Sequence, residues 1–210
     1  MQPKQLLLFV FVCLMAGFSV SAWYWGQQPV APLNPQDYKV MSVLSSPRAL
    51  EGFSLQSYSQ QTRKTQPYDL TQLQGRWTLM FFGYTHCPDV CPTTLASLKQ
   101  VFAKLSPEQQ SKLQVVLVSI DPARDTPEKL ATYTHYFNPQ FFFFFGTEAE
   151  LQKLTRALGA VYTKVGEGER YDMDHVSRLF LFSPAAQQVA SVAQPFAADA
   201  LAAELATLLD

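Results

Sequence analysis

Two strand-length apolar runs dominate the middle of the chain: WTLMFF at Trp77–Phe82 and LQVVLVSI at Leu113–Ile120. The first is bounded by Gly75 and Gly83, and the second is rich in β-branched residues. A strand with one wet face alternates apolar and polar residues, whereas a strand covered on both faces reads as a continuous apolar run. Both runs therefore call for a sheet with helices on each side. Between them Leu95, Leu98, Val101, Phe102 and Leu105 recur at helical spacing. Strand, helix and strand within about 45 residues make a βαβ unit with a right-handed crossover. The expected class is α/β with a parallel or mixed sheet.

The same pattern continues downstream. Asp125 or Thr126 stands at a helix N-cap, Pro127 falls in the first turn, and Leu130, Tyr133, Thr134 and Phe137 share one face. Phe141–Phe145 is expected to be a short buried strand. Each buried Phe contributes roughly 1.5–3 kcal/mol, which is a packing role and not a ligand role. Thr147 and Glu150 match a capping box, with Leu151, Leu154 and Leu158 on the following face and Gly159 at its end. RLFLF (Arg178–Phe182) and QVASV (Gln188–Val192) predict a hairpin around Ser183-Pro184, and Ala197–Leu208 a final helix. Upstream, GFSLQSY is expected to pair with another strand before Leu70. Residues 49–210 thus fit one domain of about 160 residues, a comfortable size for a single core.

What precedes this domain is different in kind. Lys4 is followed by an uncharged apolar stretch, Leu6–Trp25. About 20 apolar residues span a hydrocarbon core of ~30 Å, and Trp23, Tyr24 and Trp25 fall where an interfacial aromatic belt sits. Residues 1–25 are therefore expected to be a transmembrane anchor, with Lys4 in the cytoplasm and the domain facing the periplasm or an equivalent space. A cleaved signal peptide ending at Val20-Ser21-Ala22 is the rival reading. Residues 26–48 are polar and hold Pro29, Pro32, Pro35 and Pro47, the composition of an extended linker. With 16 basic and 17 acidic residues and no charge run, nothing favours a nucleic-acid partner.

Of three cysteines, Cys13 lies in the apolar stretch, leaving Cys87 and Cys91 for the domain. A dense disulfide framework is excluded. The pair could be a structural staple, a redox couple or part of a metal site. It follows a strand directly and enters a helix expected to start near Thr93, which is where α/β sheets bind ligands and where helix N–H groups stabilise thiolates. A disulfide across so small a loop removes little chain entropy, which argues against a staple. Among the histidines, His86 precedes Cys87 with its side chain expected to point away, and His135 reads as a surface or packing residue. His175 lies in a loop at a sheet end, with Asp172 and Asp174 near enough in sequence to orient its ring.

Three separated motifs, FFGYTHCPDVCPTTL (Phe81–Leu95), VSIDPARDTPEKL (Val118–Leu130) and YDMDHVSRLFLF (Tyr171–Phe182), resemble the SCO family, also called SenC, of copper-binding assembly proteins. The resemblance implies a thioredoxin-like domain with a central mixed sheet, membrane-anchored, and copper held by Cys87, Cys91 and His175, with Asp174 in an orienting role. It also implies delivery of copper to the CuA centre of cytochrome c oxidase, or reduction of that centre's cysteines. The expected partners are then the oxidase's copper-bearing subunit and a copper donor protein. Two thiolates and one imidazole suit Cu(I), with Cu(II) second, and zinc is the chemical competitor. The alternative function is a thiol–disulfide oxidoreductase using Cys87 and Cys91, although the usual redox motif has two intervening residues and this one has three. The family's aspartate and glycine ahead of the first strand are missing from FSLQSYSQQTRK, and FFFFFGTEAE is unusually aromatic.

The export expectation has a direct test. A reporter fused after Asp210 should be active outside the cytoplasm. Activity confined to the cytoplasm would contradict it.

Overall fold

The two apolar runs form adjacent parallel strands at the centre of the sheet, paired in register from Trp77 with Leu113 to Gly83 with Ser119. The computed structural model describes residues 33–59, 62–168 and 170–210. The strands in chain order are β1 (Met41–Ala49), β2 (Leu55–Ser59), β3 (Lys64–Tyr68), β4 (Trp77–Gly83), β5 (Leu113–Ser119), β6 (Phe142–Phe144), β7 (Tyr162–Glu167), β8 (Arg170–His175), β9 (Arg178–Phe182) and β10 (Gln187–Ala193). The helices are α1 (Leu70–Leu73), α2 (Val90–Lys104), α3 (Pro107–Lys112), α4 (Pro127–Phe137), α5 (Glu148–Leu158) and α6 (Ala198–Leu209). Six strands build one sheet in the order β1-β10-β9-β4-β5-β6. β4, β5 and β6 run parallel, while β9, β10 and β1 join antiparallel. This is the mixed-sheet, thioredoxin-like α/β arrangement expected from the sequence.

Strand alternation divides the core in two. Leu79 and Phe81 of β4 face one cluster, with Leu95, Leu98, Val101 and Phe102 of α2 and Leu201 and Leu205 of α6. Met80 and Phe82 face the other, with Leu151, Leu154 and Leu158 of α5. Between these layers every residue of β4 and β5 is buried.

Several expectations are refined. Thr126 caps α4, and Asp125 has a separate job described below. Thr147 caps α5, but Glu150 does not reach back to it; its carboxylate accepts from the Ser54 backbone N–H at 2.7 Å. The phenylalanine run is buried at Phe141, Phe143 and Phe144, while Phe142, the first residue of the edge strand β6, is 39% exposed. GFSLQSY does find a partner, β3, in a two-stranded sheet. The short α3, with Ser106 and Gln109 in a reciprocal capping box, was legible as Ser-x-x-Gln and is an addition to the sequence reading.

The largest correction concerns the linker assigned to residues 26–48. Its end is β1, paired with β10 at the sheet edge from Met41 with Val192 onward. An edge strand buries little, and here only Met41 is fully covered, so its composition resembles a tether. Pro47 is tolerated because an edge strand has a free side, and the register shifts between Val43 and Arg48. The proposed anchor, residues 1–25, lies outside the described residues. Among the described residues no helix is long and apolar enough to cross a membrane.

One side chain fixes where β1 begins. Glu204 of α6 accepts from the backbone N–H groups of Lys39, Val40 and Met41 at 2.6, 2.8 and 3.0 Å. Glu204→Ala should destabilise the fold by about 1–3 kcal/mol, the cost of leaving part-buried donors unsatisfied. Urea unfolding followed by circular dichroism measures this, with the midpoint expected to fall.

Candidate metal centre

β4 stops at Gly83 and the chain turns at once. The Cys87 backbone N–H donates to the Tyr84 carbonyl at 3.3 Å, and three residues later α2 begins. The helix therefore starts earlier than the sequence suggests, and Cys91 lies in its first turn. Asp89 at the N-cap position makes no side-chain cap bond. Instead the Cys91 backbone N–H points at Cys87 Sγ, 3.4 Å away, so the sulfur takes the place of a capping oxygen. Cys91 is fully buried and Cys87 half-buried, and both are unpaired thiols.

Gly83 explains how Cys91 fits. A Cβ on Gly83 would stand 2.6 Å from Cys91 Sγ and 3.1 Å from Leu117 Cδ1. Any side chain there would displace the sulfur.

His175 arrives from 84 residues further along, as the last residue of β8. Its Nε2 is 3.8 Å from Cys91 Sγ, and the ligand atoms of Cys87, Cys91 and His175 all lie within 4.8 Å of one another. Nδ1 is 3.3 Å from the Val176 carbonyl, which can only accept, so the tautomer with its hydrogen on Nδ1 turns the Nε2 lone pair to the sulfurs for a metal. The buried Tyr84 ring meets the imidazole edge-on at 6.2 Å.

The SCO1/SenC family model matches residues 51–210. This chain belongs to the SCO1/SenC family. A Stutzerimonas stutzeri protein named as a candidate copper-binding protein is 39% identical over 146 residues, which is 69% of this chain and 72% of that one. The human mitochondrial SCO1 homologue is 35% identical over 63% of this chain and 43% of its own length, so this chain spans less than half of that relative. Among solved structures, apo Sco1 of Thermus thermophilus superposes with a TM-score of 0.70 at 34% identity, over 79% of this chain and 94% of that one. Copper-bound ScoI of Bradyrhizobium japonicum gives 0.66 at 31%, over 75% and 97%.

Two thiols so close in this SCO1/SenC domain do not titrate alike. The Cys91 thiol donates to Cys87, which holds the Cys87 pKa well below the ordinary thiol range; against the opposing effect of burial, a hydrogen bond from His175 and then the Cys91 and Asp89 N–H groups add to this. Cys91 is pushed the other way, first by that same hydrogen bond and then by burial. The reduced pair is thus one half-buried thiolate above one buried thiol.

Asp174 does not play the orienting part expected of it. Neighbours on a strand point to opposite faces, so Asp174 projects into solvent while His175 projects inward, and the Val176 carbonyl fixes the ring instead. His86 also turns aside, as expected: its Nδ1 is 3.1 Å from Thr85 Oγ1 and 3.8 Å from Asp125. His135 packs edge-on against Phe143 at 6.0 Å, away from the cysteines. The sequence reading missed Asp125 as an anchor. Its buried carboxylate accepts from the Thr85 backbone N–H at 3.1 Å, from Thr85 Oγ1 at 2.6 Å and from Ser119 Oγ at 2.6 Å, fastening the cysteine loop to the end of β5. The available signal was the second acidic residue of DPARD, which reads equally well as a cap.

The asymmetry of the cysteines can be measured by iodoacetamide pulses and mass spectrometry. On the reduced protein at about pH 6, below the usual thiol range, Cys87 should be labelled and Cys91 should not. Equal labelling of both would contradict the assignment.

Proposed function

We propose that this protein is a copper-binding assembly factor that holds Cu(I) on Cys87, Cys91 and His175 and passes it to the copper-bearing subunit of cytochrome c oxidase, or reduces that subunit's cysteines. In this reading residues 1–25 tether it to the membrane with the domain in the periplasm or an equivalent space, and a copper donor protein loads it. The observation that carries the reading is the convergence of two sulfurs and one imidazole nitrogen within 4.8 Å. For metal–sulfur and metal–imidazole bonds of about 2.3 and 2.0–2.1 Å, a planar three-ligand site separates S and N by about 3.8 Å. The Cys91–His175 distance is 3.8 Å. Few, soft ligands favour Cu(I) over zinc, which prefers a fourth. Copper-bound relatives and the assembly role of the family support the same reading.

The two sulfurs divide the work. Cys87 is already a thiolate and is half-buried, so it meets the incoming ion first. Cys91 must give up its proton to bind, so loading releases that proton to solvent. The ion then has a buried anchor in Cys91 and two half-buried ligands on its open side. A recipient thiolate can displace Cys87 or His175 there before Cys91 lets go.

A second reading is favoured by the same asymmetry, a thiolate above a buried thiol. Cys87 would attack a substrate disulfide and expel one thiolate. Cys91, once deprotonated, would attack Cys87 and expel the other. The substrate gains two electrons and the Cys87–Cys91 pair is oxidised.

Competitive Cu(I) titration of the reduced protein separates the two. His175→Ala should cost at least 10–100-fold in affinity, the range seen when only the groups supporting a ligand are lost. His86→Ala and His135→Ala should stay near wild type. Oxidation to the Cys87–Cys91 disulfide should abolish tight binding. A folded His175→Ala variant with wild-type affinity and intact disulfide exchange would turn the assignment to the oxidoreductase.

A further inference from the structure

Among the described residues the β7–β8 hairpin is a two-stranded sheet of its own and shares no ladder with the six-stranded sheet. His175 is its last residue. His175 lies three residues before β9, the Tyr162 hydroxyl ties β7 to Glu148 of α5 at 2.8 Å, and a further tie runs from β8 to the loop after β5. The hairpin's own burial is slight, since β7 is exposed almost throughout. β8 has Tyr171, Met173 and His175 on one face, because they are two residues apart along a strand.

Arg124 makes the tie to the loop after β5. Its Nε donates to Asp121 Oδ2 at 2.5 Å, and its Nη1 donates to the Tyr171 carbonyl at 2.9 Å. The Tyr171 hydroxyl donates to the other Asp121 oxygen at 2.6 Å, closing a ring of three groups. The guanidinium carbon sits 3.5 Å from the centroid of the Tyr171 ring and 5.7 Å from that of Tyr84. The Asp121 side chain is 2% exposed and that of Arg124 18%, so this is not a solvent-screened surface pair. The planar guanidinium serves a carboxylate and a carbonyl on two different elements through a rigid fork while stacking on an aromatic ring, and a lysine ammonium has neither the fixed fork nor the flat face. A second bond runs alongside, from the Met173 backbone N–H to the Tyr84 hydroxyl at 3.3 Å.

We propose that Arg124, together with Asp121 and Tyr171, is a positioning residue that holds His175 against Cys91. Its consequence for copper rests on the ligand assignment above; the positioning itself does not. Asp121 and Arg124 follow the central strand β5, so the clamp transmits the rigidity of the sheet to a hairpin with little core of its own.

Two variants of the full-length protein test this. Arg124→Ala removes the clamp, and Tyr171→Phe keeps the ring but removes the hydroxyl bond to Asp121. In the reduced, metal-free protein, the nuclear Overhauser contact between the His175 ring and the Cys91 β-protons reports placement directly. It should weaken in Tyr171→Phe and vanish in Arg124→Ala. In Cu(I) competition, Arg124→Ala should lower affinity about 10–100-fold in the wild-type background. In the His175→Ala background it should change affinity less than about twofold, because residues acting through one another are not additive. If Arg124→Ala does not fold, Tyr171→Phe carries both measurements. An unchanged Overhauser contact in the folded variants, or an equal copper loss in both backgrounds, overturns the proposal. A lost contact with wild-type copper affinity in every variant, His175→Ala included, sustains the clamp and refutes the ligand assignment instead.

Discussion

The site depends on a missing methyl group. Cys91 Sγ packs so tightly over the end of β4 that a Cβ at position 83 would stand 2.6 Å from it and push the sulfur aside. This contact sets the buried sulfur at a fixed height above two strands whose every side chain is enclosed. Protein cores yield little to displacement, so a sulfur wedged there cannot drift. Cys87, one helical turn away, then has no choice but to sit at the helix N-terminus, where its charge is stabilised. The strong split between the two thiols follows from that fixed spacing.

Around this anchor, buried carboxylates do what a larger core would do elsewhere. Asp125 ties the cysteine loop to β5, and Asp121 reaches the hairpin through Arg124 and Tyr171. Each would be costly to bury alone. Each is affordable here because its oxygens accept several hydrogen bonds. The segment DPARD thus serves both halves of the candidate centre, the cysteine loop and the histidine hairpin, although none of its residues belongs to the cluster of two cysteines and one histidine.

The sequence was most legible where burial was complete. β4, β5, β9 and β10 and the faces of α2, α4, α5 and α6 all announced themselves by apolar pattern. It was least legible where an element buries one face thinly or not at all. β1 looked like a linker because it is an edge strand with one fully buried side chain, and β7 and β8 gave no apolar signal because they are mostly exposed. Phe142, read as core, is on the outer strand. Asp174 was read as the orienting neighbour of His175 because it is adjacent in sequence. On a strand, adjacency places it on the opposite face.

The sequence by itself determined the α/β class, the central strands, the family motifs and which side chains were candidates for the centre. Those features are local: a run of apolar residues or a capping residue acts within a few positions, and the pattern can be read off the chain. Only the tertiary structure decided that His175, 84 residues from Cys91, comes within 3.8 Å of it, that a backbone carbonyl and not Asp174 sets its ring, and that Asp121, Asp125 and Arg124 hold the two halves together. Such contacts depend on how separate elements pack, and no short window of sequence contains both partners of any of them.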